Sequence, residues 1–182
     1  RKPNNSICFA GGVCSQHNHE KIIKAIEKID NIEYILAGNG TKEYLNLLRS
    51  LPAWEKVNYL GEIPYREVKY IYINSIAGLA INYSSQGKEQ GSLGVTKLFE
   101  YMEAGIPVIC SDYKLWKEVI EGNNCGICVD PHNIEEITKV IKYILNNPEK
   151  AKKMGENGRK AVIERYNWST QEKVLIDLYE RL

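Results

Sequence analysis

A glycine loop, a helix start and a carboxylate occur together between residues 94 and 112 of this sequence. The glycine-containing loop leads into a short predicted helix, Gly105 ends that helix, and Pro107 opens an apolar strand. The first turn of a helix presents unpaired backbone N–H groups and the positive end of the helix dipole, so it binds phosphate readily. Glu100 lies in the first turns of the same helix. This combination favours a site for a nucleotide diphosphate.

Lys97 and two histidines are further candidate phosphate ligands. Lys97 precedes Glu100 by one turn, so its ammonium group either pairs with a phosphate or joins Glu100 in contacts with other surface groups. His17 and His19 follow the first predicted strand, where an imidazole can donate to a phosphate or carry a proton. The alternative is that both histidines are bystanders in a solvent-facing loop. The sequence leaves these alternatives open.

The composition is that of one soluble globular domain spanning residues 1–182, since 43% of the residues are hydrophobic and 26% are charged. The net charge of +1, without a zinc-finger, helix-turn-helix or RNP signature, argues against nucleic acid as a partner. No apolar run approaches the roughly 18 residues that a membrane-spanning helix needs. The start of the chain also lacks the apolar core of a signal peptide. We therefore expect a cytoplasmic location.

Five cysteines are an odd number for a disulfide framework. Cys8, Cys110 and Cys128 fall within apolar runs, where a free thiol behaves as a small hydrophobic group. Cys125 and Cys128 form a C-x-x-C pair, but no second pair or paired histidines supply the remaining ligands of a zinc site. The sequence therefore predicts structural thiols and no metal.

Apolar runs alternate with segments of helical periodicity along most of the chain. The runs predicted as strands are residues 6–10, 32–37, 57–60, 76–81, 107–110 and 126–129. Helical patterns separate them and continue through the last third of the chain, to residue 182. This order predicts an α/β fold: a doubly wound, Rossmann-like parallel sheet of about six strands, with extra C-terminal helices.

Ligands of doubly wound sheets bind beyond the carboxyl ends of the strands, where the strand order reverses. Gly11-Gly12 and Gly38 follow the first two predicted strands, and residues 61–64 and 86–94 follow the next two. Glycine allows the backbone to approach a ligand closely, although tight turns also use it routinely. The segment from Gly12 onward does not match G-x-G-x-x-G, which disfavours a nicotinamide or flavin dehydrogenase.

Four segments together resemble the donor-binding half of retaining glycosyltransferases of the GT-B fold, the group called family 4. Residues 96–112, TKLFEYMEAGIPVICSD, are similar to the family's KLxEYMAxGxPVIxSD block. Residues 115–131, LWKEVIEGNNCGICVDP, are similar to its ExVxxGxxGxxVxP block. Upstream, ILAGNG at 35–40 and VNYLGEIP at 57–64 resemble the GxG and VxFxGxxP segments. The resemblance covers nearly the whole chain.

This resemblance implies a nucleotide sugar as substrate, linked to UDP or GDP, with no cofactor or metal. It implies pyrophosphate over Gly11-Gly12 and the helix start, ribose hydroxyls at Glu100, and the base near the loop after the third strand. The implied donor-binding residues are Gly11, Gly12, His17, Gly38, Ile63, Val95, Thr96, Lys97 and Glu100. The implied reaction is retaining hexosyl transfer to a polysaccharide or glycolipid.

The resemblance also implies an N-terminal acceptor domain that residues 1–182 do not include. We expect that domain to complete the active site and to provide any contact with the inner face of the membrane. The chain alone is then a C-terminal donor-binding domain that binds a nucleotide sugar without transferring it efficiently.

The chain departs from the family pattern at three positions. Ser92 occupies the place of the first of two glutamates spaced eight residues apart, and a loop insertion would let Glu89 substitute for it. Gly12 and His17 stand where the family has basic residues that hold phosphate. The catalytic residue therefore stays undefined. Two alternatives follow: a nucleotide-sugar epimerase of the GT-B fold, or a degenerate, non-catalytic nucleotide-binding module.

Overall fold

The protein is represented by a computed structural model that describes residues 5–83 and 91–180. Within these residues six parallel strands form one sheet in the order β3-β2-β1-β4-β5-β6. The strands are β1 Asn5–Ala10, β2 Ile32–Ala37, β3 Val57–Gly61, β4 Ala77–Ala80, β5 Val108–Ser111 and β6 Gly126–Val129. The predicted doubly wound, Rossmann-like sheet is confirmed.

Helices connect the strands and follow the last of them. They are α1 His19–Glu27, α2 Lys42–Arg49, α3 Tyr65–Ile73, α4 Lys97–Ala104, α5 Lys114–Ile120, α6 Ile134–Asn146, α7 Pro148–Glu164 and α8 Trp168–Tyr179. Two short 3-10 helices span Ser15–His17 and Pro52–Lys56. The extra C-terminal helices are therefore present. The fourth strand is shorter than the predicted 76–81, and α8 ends at Tyr179 instead of reaching residue 182.

The core consists of two apolar clusters, one on each face of the sheet. Side chains alternate along β1, so Ile7 and Phe9 pack in one cluster while Cys8 and Ala10 pack in the other. Helices α1, α2 and α6 contribute to the first cluster, α3, α4 and α5 contribute to the second, and α7 contributes to both. Burial on both faces explains why the predicted strands are nearly continuous apolar runs.

The strand order reverses between β1 and β4. From β1 the chain continues to β2 on one side, whereas β4 pairs with the other side of β1 through Ile7–Ala77 and Cys8–Gly78. Helix α4 packs closely against β4, where Tyr101 leaves no space for a side chain at Gly78 and donates to the Leu79 carbonyl at 3.1 Å. The loop after β1 and the start of α4 consequently meet at the point of reversal.

Candidate functional site

Lys97 brings the start of α4 to the loop that follows β1. Its ammonium group donates to the carbonyl of Ala10, the last residue of β1, and lies 4.5 Å from the centre of the Phe9 ring. A Cβ atom placed on Gly11 would lie 2.7 Å from the Lys97 nitrogen. Burial lowers the pKa of Lys97 below its ordinary value. The structure therefore places the Lys97 ammonium group next to Gly11, and both are predicted site residues.

The first turn of α4 receives no side-chain cap from Thr96, the residue before it. The Thr96 hydroxyl instead donates to Glu100 at 2.9 Å. The Val95 N–H group points back to the Ser92 carbonyl at 3.4 Å. Thr96 therefore leaves the N–H groups of the first turn without a side-chain cap, and the anion site at this helix start stays a prediction.

Gly38 packs against the backbone of Gly11. Gly11 N–H donates to the Ala37 carbonyl at 3.0 Å, and Gly38 N–H donates to the Gly61 carbonyl at 2.6 Å. Gly38 has a φ of +128°, and a Cβ atom there would overlap the Gly11 carbonyl. The turn therefore needs glycine at this position for close backbone packing, which accounts for Gly38 without a ligand contact.

Gly12 and His17 face each other across the same loop. The His17 Nδ1 atom lies 2.7 Å from the Gly12 carbonyl oxygen, and the imidazole ring lies 4.9 Å from the Phe9 ring, centre to centre. Gly12 is exposed, and a Cβ atom there would meet nothing within 4 Å. Burial lowers the pKa of His17, so its imidazole is neutral at pH 7. The phosphate-binding position expected at Gly12 is thus open to solvent.

The placement of His19 in a solvent-facing loop was wrong. His19 is the first residue of α1 and is fully buried, with Nδ1 2.9 Å from the Tyr34 hydroxyl. The helix begins this early because Asn18 adopts a left-handed conformation, with φ of 58°, and turns the chain inward. Burial lowers the pKa of His19 to about 3. His19 therefore belongs to the core beneath the loop, and His17 alone of the two is partly exposed.

Glu100 lies one turn into α4 and is held by two hydroxyl groups. It accepts from Tyr72 at 3.2 Å and from Thr96 at 2.9 Å. Glu100 and Tyr72 line a cavity of about 230 Å³ between α3 and α4. Ile63, in the loop from β3 to α3, is half-buried against the second apolar cluster. The carboxylate is thus fixed beside an open cavity.

Phe9 and Tyr72 are site residues that sequence reasoning missed. Phe9 contacts both Lys97 and His17, and Tyr72 donates to Glu100. Both residues lie in segments whose apolar pattern predicts core positions, and both are indeed mostly buried. The contacts that place them in the site depend on the tertiary fold, so the local sequence pattern does not reveal them.

Ser92 shapes the loop before α4. Its hydroxyl accepts from Gly94 N–H at 3.1 Å, and its carbonyl accepts from the Trp116 indole N–H at 2.9 Å. A turn residue with these contacts offers no carboxylate at the position where the family pattern has its first glutamate. The predicted substitute, Glu89, lies outside the described residues.

The cysteines occupy structural positions. All five are free thiols, and Cys110 and Cys128 are registered partners on β5 and β6, with their sulfur atoms 3.5 Å apart. In residues 5–83 and 91–180, no group of three or more His, Cys, Asp or Glu side chains is arranged to hold a metal ion. None of the helices in that part of the chain combines the length and apolar character needed to cross a membrane.

The family model of glycosyl transferases group 1 matches residues 1–161. The chain belongs to this family. The group 1 match covers every strand of the sheet, the loop after β1 and helix α4. It therefore includes the residues gathered at the point of strand reversal.

The chain is also similar to two named relatives in sequence and to a solved structure in fold. A glycosyltransferase of Methanocaldococcus jannaschii is 28% identical over 180 residues, covering 96% of this chain and 44% of the relative. A GDP-mannose-dependent phosphatidylinositol monomannoside mannosyltransferase of Mycobacterium tuberculosis is 24% identical over 155 residues, covering 82% and 40%. The structure of Anabaena HepE in complex with UDP-glucose superimposes with a TM-score of 0.83 at 16% identity, covering 98% and 50%. The chain thus spans about half the length of these three proteins, or somewhat less.

Proposed function

We propose that this chain is the donor-binding domain of a retaining glycosyltransferase that moves a hexose from a nucleotide sugar to a polysaccharide or glycolipid. The observation that carries the proposal is the contact of Lys97, at the start of α4, with the end of β1. This contact places a cation and a helix N-terminus at one glycine turn. Such a turn suits a diphosphate, because backbone N–H groups and a nearby positive charge both stabilise it.

In this proposal, each part of a nucleotide sugar binds a different part of the site. The diphosphate lies over Gly11 and Gly12, beside Lys97. The ribose hydroxyls bind the Glu100 carboxylate, which already accepts two hydroxyl hydrogen bonds and is therefore suited to accept others. The base lies towards Ile63 in the loop after β3. The cavity between α3 and α4, which Glu100 lines, provides space on that side.

The same groups account for the chemistry that this domain contributes. When the bond between sugar and diphosphate breaks, negative charge builds up on the departing diphosphate. Lys97 and the first turn of α4 are fixed by the fold before that charge develops, so they stabilise it without reorganisation. An acceptor domain outside residues 1–182 then binds the acceptor, whose hydroxyl group takes the sugar as the bond to the diphosphate breaks, and forms the second wall of the cleft.

Two donor classes follow from the relatives. The M. tuberculosis relative is GDP-mannose-dependent, and the Anabaena structure contains UDP-glucose. The diphosphate, ribose and hexose are common to both, so the predicted contacts of Gly11, Lys97 and Glu100 serve either. Only contacts near Ile63 would distinguish uracil from guanine.

Calorimetric titration of the chain with UDP, GDP and their sugar conjugates tests this function. We expect saturable binding of one nucleotide class at millimolar concentration or below. A folded chain that releases no heat with any of these ligands would rule the function out. Preference for one class identifies the base.

A second candidate is a nucleotide-sugar-binding module without transferase activity, and the geometry of Ser92 favours it. Ser92 stabilises the loop through its hydroxyl and carbonyl, and Gly12 offers no side chain to a phosphate. Assay of the protein together with its acceptor domain separates the two candidates. Sugar transfer supports the enzyme, whereas donor binding without product from any donor supports the module.

A further inference from the structure

His17 combines three properties that bear on phosphate binding. One ring nitrogen is committed to the fold, the ring packs on Phe9, and the residue is partly exposed beside the open Gly12 position. The hydrogen bond of Nδ1 to the fold determines whether Nε2 can donate to a phosphate.

The Gly12 carbonyl fixes the tautomer of His17. A carbonyl oxygen only accepts hydrogen bonds, so at 2.7 Å the Nδ1 atom must carry the proton. The Cys14 sulfur lies 3.5 Å from the same Nδ1 atom, a longer and weaker contact that does not change this assignment. In the neutral ring, Nε2 therefore presents a lone pair, which repels a phosphate oxygen. Only the doubly protonated ring can donate through Nε2.

We propose that nucleotide-sugar binding takes up one proton at His17, whose imidazolium Nε2–H then donates to the diphosphate over Gly11-Gly12. This inference rests on the proposed function and specifies the phosphate contact within it. The bond that forms is a charge-assisted hydrogen bond, and the proton comes from solvent. A permanently charged side chain at position 17, such as the basic residue of the family pattern, would bind the diphosphate without proton uptake.

The surroundings of His17 support the direction of this coupling. In the described part of the chain, the titratable groups around the ring are Cys14, His19 on α1 and Lys97 on α4. Burial lowers the pKa of His17, and the Lys97 charge lowers it further. His19 stays neutral because burial lowers its pKa to about 3. The free ring is thus neutral at pH 7, and the negative charge of a bound diphosphate raises its pKa.

The sign of the pH dependence follows. Affinity is highest below the pKa of His17 in the free chain, and it falls as the pH rises through the pKa in the complex. Between these two values, one proton is bound with each ligand, and the affinity changes by at most about tenfold per pH unit. UDP-glucose and GDP-mannose are suitable probes because their diphosphate is esterified at both ends and does not titrate near neutral pH.

The test is calorimetry of the chain with UDP-glucose and GDP-mannose between about pH 6 and about pH 8.5, in buffers of different ionisation heat. The wild type is expected to take up close to one proton and to lose affinity as the pH rises. His17→Lys should bind with no uptake and little pH dependence, and His17→Gln should bind weakly across the whole range. The exposed His132 provides the matched control, since His132→Gln should keep the wild-type uptake.

Two results overturn the inference. Wild-type binding without proton uptake overturns it alone and leaves the donor-binding function standing. Uptake that persists unchanged in His17→Gln does the same, because another group must then be the proton acceptor. Failure of both ligands to bind the folded wild type overturns this inference together with the proposed function.

Discussion

The ammonium group of Lys97 lies over the face of the Phe9 ring, 4.5 Å from its centre, and hydrogen-bonds to the carbonyl of Ala10. The His17 ring contacts the same phenyl group at 4.9 Å. Phe9 therefore contacts two nitrogen-bearing side chains at one turn, His17 from the loop after β1 and Lys97 from α4. In the proposed function, the affinity of the turn for a diphosphate depends on these two groups.

Lys97→Met should weaken nucleotide-sugar binding by tenfold or more. The substitution removes a charge-assisted contact worth about 1.5–3 kcal/mol while retaining much of the side-chain length. Lys150→Met is the matched control, because Lys150, on α7, also lies over an aromatic ring, 5.3 Å from the centre of the Tyr143 ring. Calorimetric affinities of both variants measure the effect. Equal losses in the two would contradict a specific role for Lys97.

Glu100→Gln should weaken binding through the ribose. The amide keeps the shape of the side chain but loses the charge that strengthens hydrogen bonds from hydroxyl groups. Glu103→Gln is the control, since Glu103 lines the same cavity but pairs with Lys69 at 3.7 Å in an exposed ion pair. Comparing UDP-glucose with its 2′-deoxyribose analogue forms a double-mutant cycle. If the loss from the deoxy substitution is as large in Glu100→Gln as in wild type, the ribose role is refuted.

Gly12→Arg should strengthen donor binding about tenfold, because it adds a cation where the diphosphate is expected. The backbone tolerates the change, since a Cβ atom at Gly12 meets nothing within 4 Å. Gly12→Gln has comparable reach without the charge and separates electrostatic gain from packing. Unchanged affinity in the arginine variant would indicate that the diphosphate lies elsewhere.

Gly38→Ala should destabilise the fold by at least about 2 kcal/mol, since a side chain there meets the Gly11 carbonyl and φ is +128°. Gly12→Ala, at the residue after Gly11, should leave the free energy of unfolding nearly unchanged, because a Cβ atom at Gly12 meets nothing within 4 Å. Urea denaturation of both variants measures the difference. Similar values would show that the Gly11–Gly38 approach relaxes easily.

His19 should make the fold sensitive to acid. Its pKa is about 3 in the folded chain and 6.5 in its ordinary state, so below pH 6.5 the unfolded chain binds a proton that the folded chain does not. The free energy of unfolding therefore decreases as the pH is lowered, and this group contributes at most about 1.4 kcal/mol per pH unit to the decrease. His19→Phe should reduce the slope between pH 6.5 and about pH 4. His132→Gln should leave it unchanged; equal slopes in all three proteins would exclude His19 as the cause.

The sheet was predictable because burial on both faces leaves a strong mark on local sequence. Runs such as β2 are nearly continuous in apolar residues, and glycines mark the turns that follow. The Gly11-Gly12 turn and the helix carrying Glu100 were found for the same reason. Their shared edge follows from the parallel order of the strands.

The remaining features of the site depend on contacts between distant segments. Nothing local to Phe9 shows that Lys97 and His17 will pack on it. His19 was expected to face solvent because polar residues surround it in the sequence, whereas its burial comes from contacts with Phe9 and Tyr34 on the sheet. The loop-stabilising contacts of Ser92 likewise include Trp116, from another helix.

The most direct test of donor binding at the strand reversal is an amide nuclear magnetic resonance titration of isotope-labelled chain with UDP-glucose and GDP-mannose. The predicted result is saturable shifts, with one of the two ligands, concentrated at the amides of Gly11, Gly12 and Lys97. Shifts confined to a separate surface cavity, lined by Asn157 and Arg165 among others, would contradict the account, as would no shifts with either ligand.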